Sequence, residues 1–152
     1  MSHVLISNKR CTGCHMCELA CSAWHEGAFR PSVARLRVEV DPNAGRSRGY
    51  TCLQAACKKC AAACPTGAIT ESGGVVRVDA ALCDGCADRP DGPACVAACP
   101  TKVIALHPET HKAFKCDLCD GEPQCVLFCQ NPEVAAVTLK EEQPHRMRVE
   151  AD

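Results

Sequence analysis

Alternating apolar and polar positions along the chain predict several short β-strands. Residues 34–40 alternate as a half-buried strand does, because successive side chains of a strand point to opposite faces. Gly73 and Gly74 form a turn signal, and the β-branched run at residues 75–79 predicts one strand of a hairpin. Residues 134–139 predict a further strand, and residues 146–150 a last, weaker one. The pattern therefore indicates small β-hairpins.

The segments between these strands predict loops and short helices. Residues 41–45 are rich in turn formers and end the first strand, and residues 46–51 are expected to be a polar loop. Cysteine pairs with three intervening residues recur along the chain, and we expect helices of about one or two turns to begin near the first cysteine of each such pair. Pro65 and Pro100 directly follow two of these pairs, where proline cannot continue a helix. The predicted fold class is α+β.

Large apolar side chains are scarce in this chain of 152 residues. Aromatic residues make up 3% of the chain, and much of its 47% hydrophobic content is cysteine and alanine. A chain of this length normally buries an apolar core, so we expect bound metal to fill part of that role and to be coupled to folding. No apolar run approaches the ~20 residues that span a bilayer, and the N-terminus lacks the apolar run of a secretory signal. We therefore expect a cytoplasmic protein without direct membrane insertion.

The sixteen cysteines supply the candidate chemistry. They form four groups of four: Cys11, Cys14, Cys17, Cys21; Cys52, Cys57, Cys60, Cys64; Cys83, Cys86, Cys95, Cys99; and Cys116, Cys119, Cys125, Cys129. In every group three residues separate the third cysteine from the fourth. This repeated ending is typical of iron–sulfur cluster ligation, and four complete groups predict four clusters.

Disulfides and zinc are the rival explanations for these cysteines. Disulfides need an oxidising compartment, and a disulfide scaffold gives no reason for closely spaced cysteine triplets. Zinc sites use cysteines in pairs, whereas the segment 11–17 holds three cysteines in a Cys-x2-Cys-x2-Cys run that suits three corners of a cubane. The sequence favours four [4Fe-4S] clusters, with zinc as the stronger rival.

The charge pattern gives no support for nucleic-acid binding. The formal net charge is −1, and four oxidised clusters that carry about −2 each would bring the loaded protein to about −9. Basic residues are nevertheless grouped, at Arg30, Arg35, Arg37, Arg46, Arg48, His145, Arg146 and Arg148. We interpret them as a solvated face that offsets cluster charge, because no aromatic residues are interleaved with them as in a nucleic-acid surface.

The segment 52–106 resembles a complete two-cluster bacterial ferredoxin. The run Cys64-Pro65-Thr66-Gly67-Ala68-Ile69 recurs as Cys99-Pro100-Thr101-Lys102-Val103-Ile104. In such ferredoxins the fourth cysteine of each group ligates the other cluster, which implies a nested scheme with four ligand sets. These sets are Cys52, Cys57, Cys60 with Cys99; Cys83, Cys86, Cys95 with Cys64; Cys11, Cys14, Cys17 with Cys129; and Cys116, Cys119, Cys125 with Cys21. The rival pairing joins the first group to the second and the third to the fourth, and it stays open.

The nested scheme also predicts the domain organisation. We expect one polyferredoxin domain over residues 1–152, built as tandem, nested bacterial ferredoxin-like folds. Residues 52–106 would form an inner two-cluster module, and residues 1–51 plus 107–140 an outer one. Residues 141–152 would be a C-terminal tail.

Four nested groups resemble the four-cluster electron-transfer subunits of molybdenum and tungsten pterin oxidoreductases. The residues that carry a closer resemblance are segments 14–22, 25–27, 34–38, 114–119 and 122–126. They look like the small iron–sulfur subunit of tungsten-dependent aldehyde oxidoreductases and the related subunit of benzoyl-CoA reductases. The resemblance covers residues 3–140, but the second group runs Cys-x4-Cys-x2-Cys where many such subunits run Cys-x2-Cys-x4-Cys. Neither Cys21 nor Cys129 is followed by proline.

The resemblance implies an electron carrier rather than an enzyme in its own right. Electrons would enter from a tungsten-pterin subunit that oxidises aldehydes and leave to a FAD- and NAD-binding subunit or a ferredoxin. The sequence holds no phosphate loop, dinucleotide fingerprint or nucleophile–base motif. Alternatives are the iron–sulfur subunit of a hydrogenase, formate or carbon monoxide dehydrogenase or benzoyl-CoA reductase complex, and less favourably a cluster-containing sensor or assembly protein. Exposed terminal clusters could also let copies of the chain associate into a longer electron wire.

Overall fold

A computed structural model describes residues 2–129 and 135–141 of the chain. In these residues the strands pair as four two-stranded antiparallel sheets. The strands are β1 Ser2–Ile6, β2 Arg37–Asp41, β3 Arg46–Tyr50, β4 Ile69–Ser72, β5 Val75–Val78, β6 Ala105–Leu106, β7 Ala113–Phe114 and β8 Val137–Glu141. The α-helices are α1 Met16–Glu26, α2 Lys59–Ala63, α3 Ala94–Ala97 and α4 Gln124–Leu127. This mixture of short helices and small hairpins confirms the predicted fold class at that level.

Strands β1 and β8 join the two ends of the described chain. They pair antiparallel, with Val4 opposite Leu139 and Ile6 opposite Val137. Val4 and Val137 face a cluster of buried side chains together with Leu36 and with cysteines of the first and fourth groups. The pairing of β1 with β8 therefore holds together the parts of the chain that carry the first and fourth cysteine groups.

A second buried cluster lies around the middle of the chain. Hairpin β4–β5 pairs Ile69 with Val78, and Ile69 and Val76 pack with Ile104 and two cysteines, Cys60 and Cys95. Helices α2 and α3 carry these two cysteines and contact each other. In both buried clusters cysteines take the place of the large apolar side chains that the composition lacks.

The prediction of a polar loop at residues 46–51 was wrong. Residues 46–50 form strand β3, which pairs with β2 in the register Arg37 with Tyr50 and Asp41 with Arg46. Within this strand only Ser47 is fully buried, so its exposed positions hide the alternation on which strand prediction depends. The backbone N–H groups of residues 43 and 44 donate to the Asp41 carboxylate at 3.0 and 3.1 Å, which shapes the connecting turn.

The other strand predictions hold to within a few residues or fall outside the described part. The strand expected at 75–79 is β5 at Val75–Val78, and the one expected at 34–40 begins later, as β2 at Arg37. The strand expected at 134–139 is β8, which runs from Val137 to Glu141. The strand predicted at 146–150, like most of the predicted tail, lies outside the described residues.

The predicted helix starts are confirmed, but one predicted length was wrong. Each α-helix begins one residue before the third cysteine of its group. Helix α1 has 11 residues, about three turns. Ser22 rather than proline follows Cys21, so the helix continues until Gly27, whose left-handed φ of 66° and N–H bond to Ala23 O at 3.0 Å end it. Among the described residues, no helix has the length and apolarity needed to cross a membrane.

Candidate iron–sulfur sites

The first candidate site joins the start of the chain to its far end. Cys11, Cys14, Cys17 and Cys129 line one cavity of about 230 Å³. Cys11 and Cys14 lie in the loop before α1, and Cys17 in its first turn, while Cys129 follows α4. Burial, together with the charges of Glu18 and of the neighbouring thiols, raises the pKa of Cys17 to about 12.

The second candidate site lies in the middle of the chain. Cys52, Cys57, Cys60 and Cys99 line a narrower cavity of about 20 Å³, which Lys115 also reaches. Helix α2 supplies Cys60, and Cys99 follows α3. Burial raises the pKa of Cys60, while the positive charge of Lys115 acts in the opposite direction.

The third and fourth sites are recognised by the charges that act on their buried thiols. Burial raises the pKa of Cys95 to about 11, with contributions from the nearby thiols of Cys86, Cys64 and Cys83. Burial also raises the pKa of Cys125, with contributions from Cys116, Cys21, Cys119 and Cys17. In each of the four places the neighbouring cysteines belong to one nested set, apart from Cys17 beside Cys125. Their role as ligands stays a prediction.

The Cys-Pro-Thr repeat places a hydroxyl beside two of these sulfurs. Thr66 Oγ1 lies 3.5 Å from Cys64 Sγ, and Thr101 Oγ1 lies 3.6 Å from Cys99 Sγ. Burial opposes ionisation of both thiols, but hydrogen bonds from Thr66 hold the pKa of Cys64 below its usual value. Bonds from the Ile104 N–H and from Thr101 do the same for the pKa of Cys99. Sequence reasoning missed these threonines, although the repeated motif contained the signal.

Backbone N–H groups provide further hydrogen bonds to sulfur. The Arg35 N–H donates to Cys21 Sγ at 3.2 Å, and the Gln54 N–H donates to Cys52 Sγ at 3.3 Å. Hydrogen bonds to a thiolate favour its charged form, which is the form that binds metal. At Cys21 this hydrogen bond opposes burial, which raises the pKa of the thiol to about 11.

His25 is a further polar neighbour of the fourth site. Its Nε2 lies 3.6 Å from Cys119 Sγ and 3.4 Å from Asp117 Oδ1. Asp117 in turn accepts a hydrogen bond from Arg35 Nη1 at 2.6 Å and one from the Cys119 N–H at 3.0 Å. Burial, followed by the charge of Arg35, lowers the pKa of His25. The spacing of His25 and Asp117 in sequence gave no signal that they would meet.

The donor sets fit an iron–sulfur cluster. Each set offers four thiols, which is the ligand set of a [4Fe-4S] cubane and also of a structural zinc ion. The cavities at the first and second sites measure about 230 and 20 Å³, so their volumes do not distinguish a cluster from a zinc ion. The Cys-x2-Cys-x2-Cys run of residues 11–17 is the feature that favours a cluster.

Curated relatives of the chain are electron-transfer subunits. The chain is 40% identical over 129 residues to the polyferredoxin-like subunit of an aliphatic sulfonate oxidoreductase of Pyrococcus furiosus, covering 83% of this chain and 70% of the relative. It is 31% identical to the thiosulfate reductase electron transfer subunit PhsB of Salmonella typhi, with 94% and 79% covered. It is 32% identical to the beta subunit of an NADH-dependent phenylglyoxylate dehydrogenase of Aromatoleum evansii, covering 90% of this chain and 30% of that subunit.

Solved structures resemble the fold. A chain of the active-site complex BamBC of benzoyl coenzyme A reductase matches 92% of this chain and 79% of its own length, with a TM-score of 0.51 and 24% identity. No profile of a known protein family matches the sequence. From the cysteine pattern, the fold and the curated relatives together, the chain belongs to the polyferredoxin-like electron-transfer subunits of oxidoreductase complexes.

Proposed function

We propose that this chain binds four [4Fe-4S] clusters in the nested ligand sets and carries electrons away from a tungsten-pterin aldehyde oxidoreductase subunit. The acceptor would be a subunit that binds FAD and NAD, or a ferredoxin. The observation that supports the ligand sets best is the first cavity, where Cys129 meets three cysteines more than 110 residues earlier in the chain.

The protein's own contribution is the placement of the sulfurs. When bound, the clusters supply reversible one-electron transfer. Helix α2 presents Cys60, and Cys64 follows one turn later, so a single turn of chain serves two ligand sets. Cys95 and Cys99 repeat the arrangement at α3. These shared turns hold the two sites of a pair close together.

The assignment of a tungsten-pterin partner depends on short sequence segments, and a partner like that of the aliphatic sulfonate oxidoreductase is the specific alternative. The segments 14–22 and 114–119 support an aldehyde oxidoreductase. The 40% identity to a subunit of an aliphatic sulfonate oxidoreductase supports electron transfer from a catalytic subunit that acts on aliphatic sulfonates. We place the chain in the cytoplasm, because a reducing compartment keeps sixteen cysteines out of disulfides and available as cluster ligands.

Co-purification with the catalytic partner separates these two candidates. The tagged chain is isolated anaerobically from its native host, and tungsten and molybdenum in the complex are measured by mass spectrometry. An aldehyde or an aliphatic sulfonate is then added, and reduction of the clusters is followed by EPR. We expect tungsten in the complex and cluster reduction by the aldehyde. Reduction by the sulfonate alone, or the absence of any pterin subunit, would overturn the aldehyde assignment.

A further inference from the structure

A buried lysine lies between two of the proposed ligand sets. Lys115 is 3% exposed and directly precedes Cys116. Its Nζ donates to Cys116 O at 2.8 Å, to Gln54 Oε1 at 3.4 Å, and to Val76 O. An ammonium has three N–H donors and no acceptor, and three oxygen acceptors surround this nitrogen. The three acceptors therefore match the three donors of the side chain.

This cation has no carboxylate partner among residues 2–129 and 135–141. The ion pairs within that part of the chain do not include Lys115. A buried charge without a partner is strongly destabilising, so a counter-charge is required. Lys115 lines the cavity of the inner set Cys52, Cys57, Cys60 and Cys99. It also directly precedes Cys116 of an outer set, to whose carbonyl oxygen its Nζ donates. The lysine therefore lies between two ligand sets, one inner and one outer.

Gln54 connects the same two sets through hydrogen bonds. Its side chain is fully buried, and its Nε2 donates to Cys116 O at 2.9 Å while its Oε1 accepts from the Val76 N–H at 3.1 Å. Its own backbone N–H donates to Cys52 Sγ at 3.3 Å. The inner and outer ligand sets thus approach each other at Cys52 and Cys116.

We propose that Lys115 is the charge-compensating residue of this junction and raises the reduction potentials of the clusters on both sides of it. The inference depends on the proposed four clusters. Each one-electron reduction adds one negative charge, and a fixed cation in a medium of low dielectric stabilises the more negative state. Lys115 therefore makes the two clusters at this junction the favoured places for an electron to reside.

Redox titration of Lys115→Met followed by EPR tests the proposal directly. Two of the four midpoint potentials are expected to fall by at least ~59 mV, which corresponds to a tenfold change in the one-electron equilibrium constant. The other two are expected to stay at their wild-type values. Lys115→Arg keeps the charge and is expected to retain most of the wild-type potential. Lys59→Met is the matched control, because Lys59 is exposed beside Cys60 and water screens its charge.

A second variant covers the case in which Lys115→Met loses iron. Gln54→Glu places a carboxylate at the same lysine nitrogen, keeps an acceptor for the Val76 N–H, and is expected to lower the same two potentials. Iron loss confined to two clusters in Lys115→Met, with Lys115→Arg fully loaded, would also support the proposal. Unchanged potentials in fully loaded Lys115→Met, an equal shift in Lys59→Met, or loss of all four clusters would overturn it. If the wild-type protein itself bound no clusters, the proposed function would fail instead.

Discussion

At the scale of single residues, the loop between Cys83 and Cys86 has no room for a side chain at Gly85. This glycine has a φ of +67°, and a Cβ there would meet the backbone carbonyl of His111, which cannot move aside as a flexible side chain could. Gly92 has almost the same φ, +68°, with nothing within 4 Å of its ideal Cβ. A side chain at Gly92 would therefore meet backbone strain alone, whereas a side chain at Gly85 would meet the same strain and a steric clash.

We expect Gly85→Ala to destabilise the protein more than Gly92→Ala. The left-handed conformation costs about 1–2 kcal/mol in both variants, and crowding adds about 1–3 kcal/mol at Gly85 alone. The check is the urea midpoint for loss of the visible cluster absorption, measured anaerobically. Equal midpoints for the two variants would show that the His111 contact has no energetic consequence.

Glu18 provides a second residue-scale prediction. Its carboxylate is 5% exposed, accepts from the Val38 N–H at 2.8 Å, and lies 2.5 Å from His15 Nδ1. Glu18→Ala leaves that buried N–H without its acceptor, at a cost of about 1–3 kcal/mol, whereas Glu18→Gln keeps an oxygen in place. The urea midpoint should fall in the order wild type, Gln, Ala. An alanine variant as stable as the wild type would contradict the role assigned to this carboxylate.

The spacing of the cysteines identifies candidate ligands in the sequence but not the side chains that surround them. Cysteine spacing is local information, so all sixteen candidate ligands could be named before the structure was known. Lys115, Gln54 and His25 each lie within four residues of a candidate ligand, but their contacts join distant parts of the chain, with Gln54 and Lys115 separated by 61 positions. Their burial depends on tertiary packing, which no local pattern encodes.

At the scale of elements, the hairpin β6–β7 crosses the predicted boundary between the modules. Leu106 pairs with Ala113, and Ala113 packs in the buried cluster that also contains Ile69 and Ile104. The boundary predicted at residue 106 came from cysteine spacing, which says nothing about the strand partner that follows. Strand β3 was missed for another reason, because its exposed positions carry no apolar alternation.

A pair of fragments tests the contribution of this hairpin. We expect a fragment of residues 52–115 to retain two clusters for longer than a fragment of residues 52–106, because only the longer one keeps β7 and Ala113. The measurement is iron content over time after anaerobic reconstitution. Equal retention would show that β7 contributes nothing to the inner pair of sites.

At the scale of the whole molecule, cysteines make up part of both buried clusters of side chains. Cys17, Cys21 and Cys125 belong to one buried cluster, and Cys60 and Cys95 to the other. Five thiols in place of large apolar side chains leave little hydrophobic stabilisation once the metal is gone. Metal binding and folding should therefore be coupled.

Removal of iron is expected to unfold the chain. A strong iron chelator applied under reducing, anaerobic conditions should abolish near-UV circular dichroism and most protection against proteolysis. Addition of iron and sulfide should restore both signals, which controls for irreversible damage. A metal-free chain that kept its native dichroism would contradict the coupling.

Metal analysis of the anaerobically purified chain, combined with Mössbauer and EPR spectroscopy, tests the central claim most directly. Four cubanes predict about 16 iron atoms and about 16 acid-labile sulfides per chain. The reduced protein should show EPR signals of interacting [4Fe-4S] centres. Four zinc ions, or iron that stays well below this content after full reconstitution, would contradict the account.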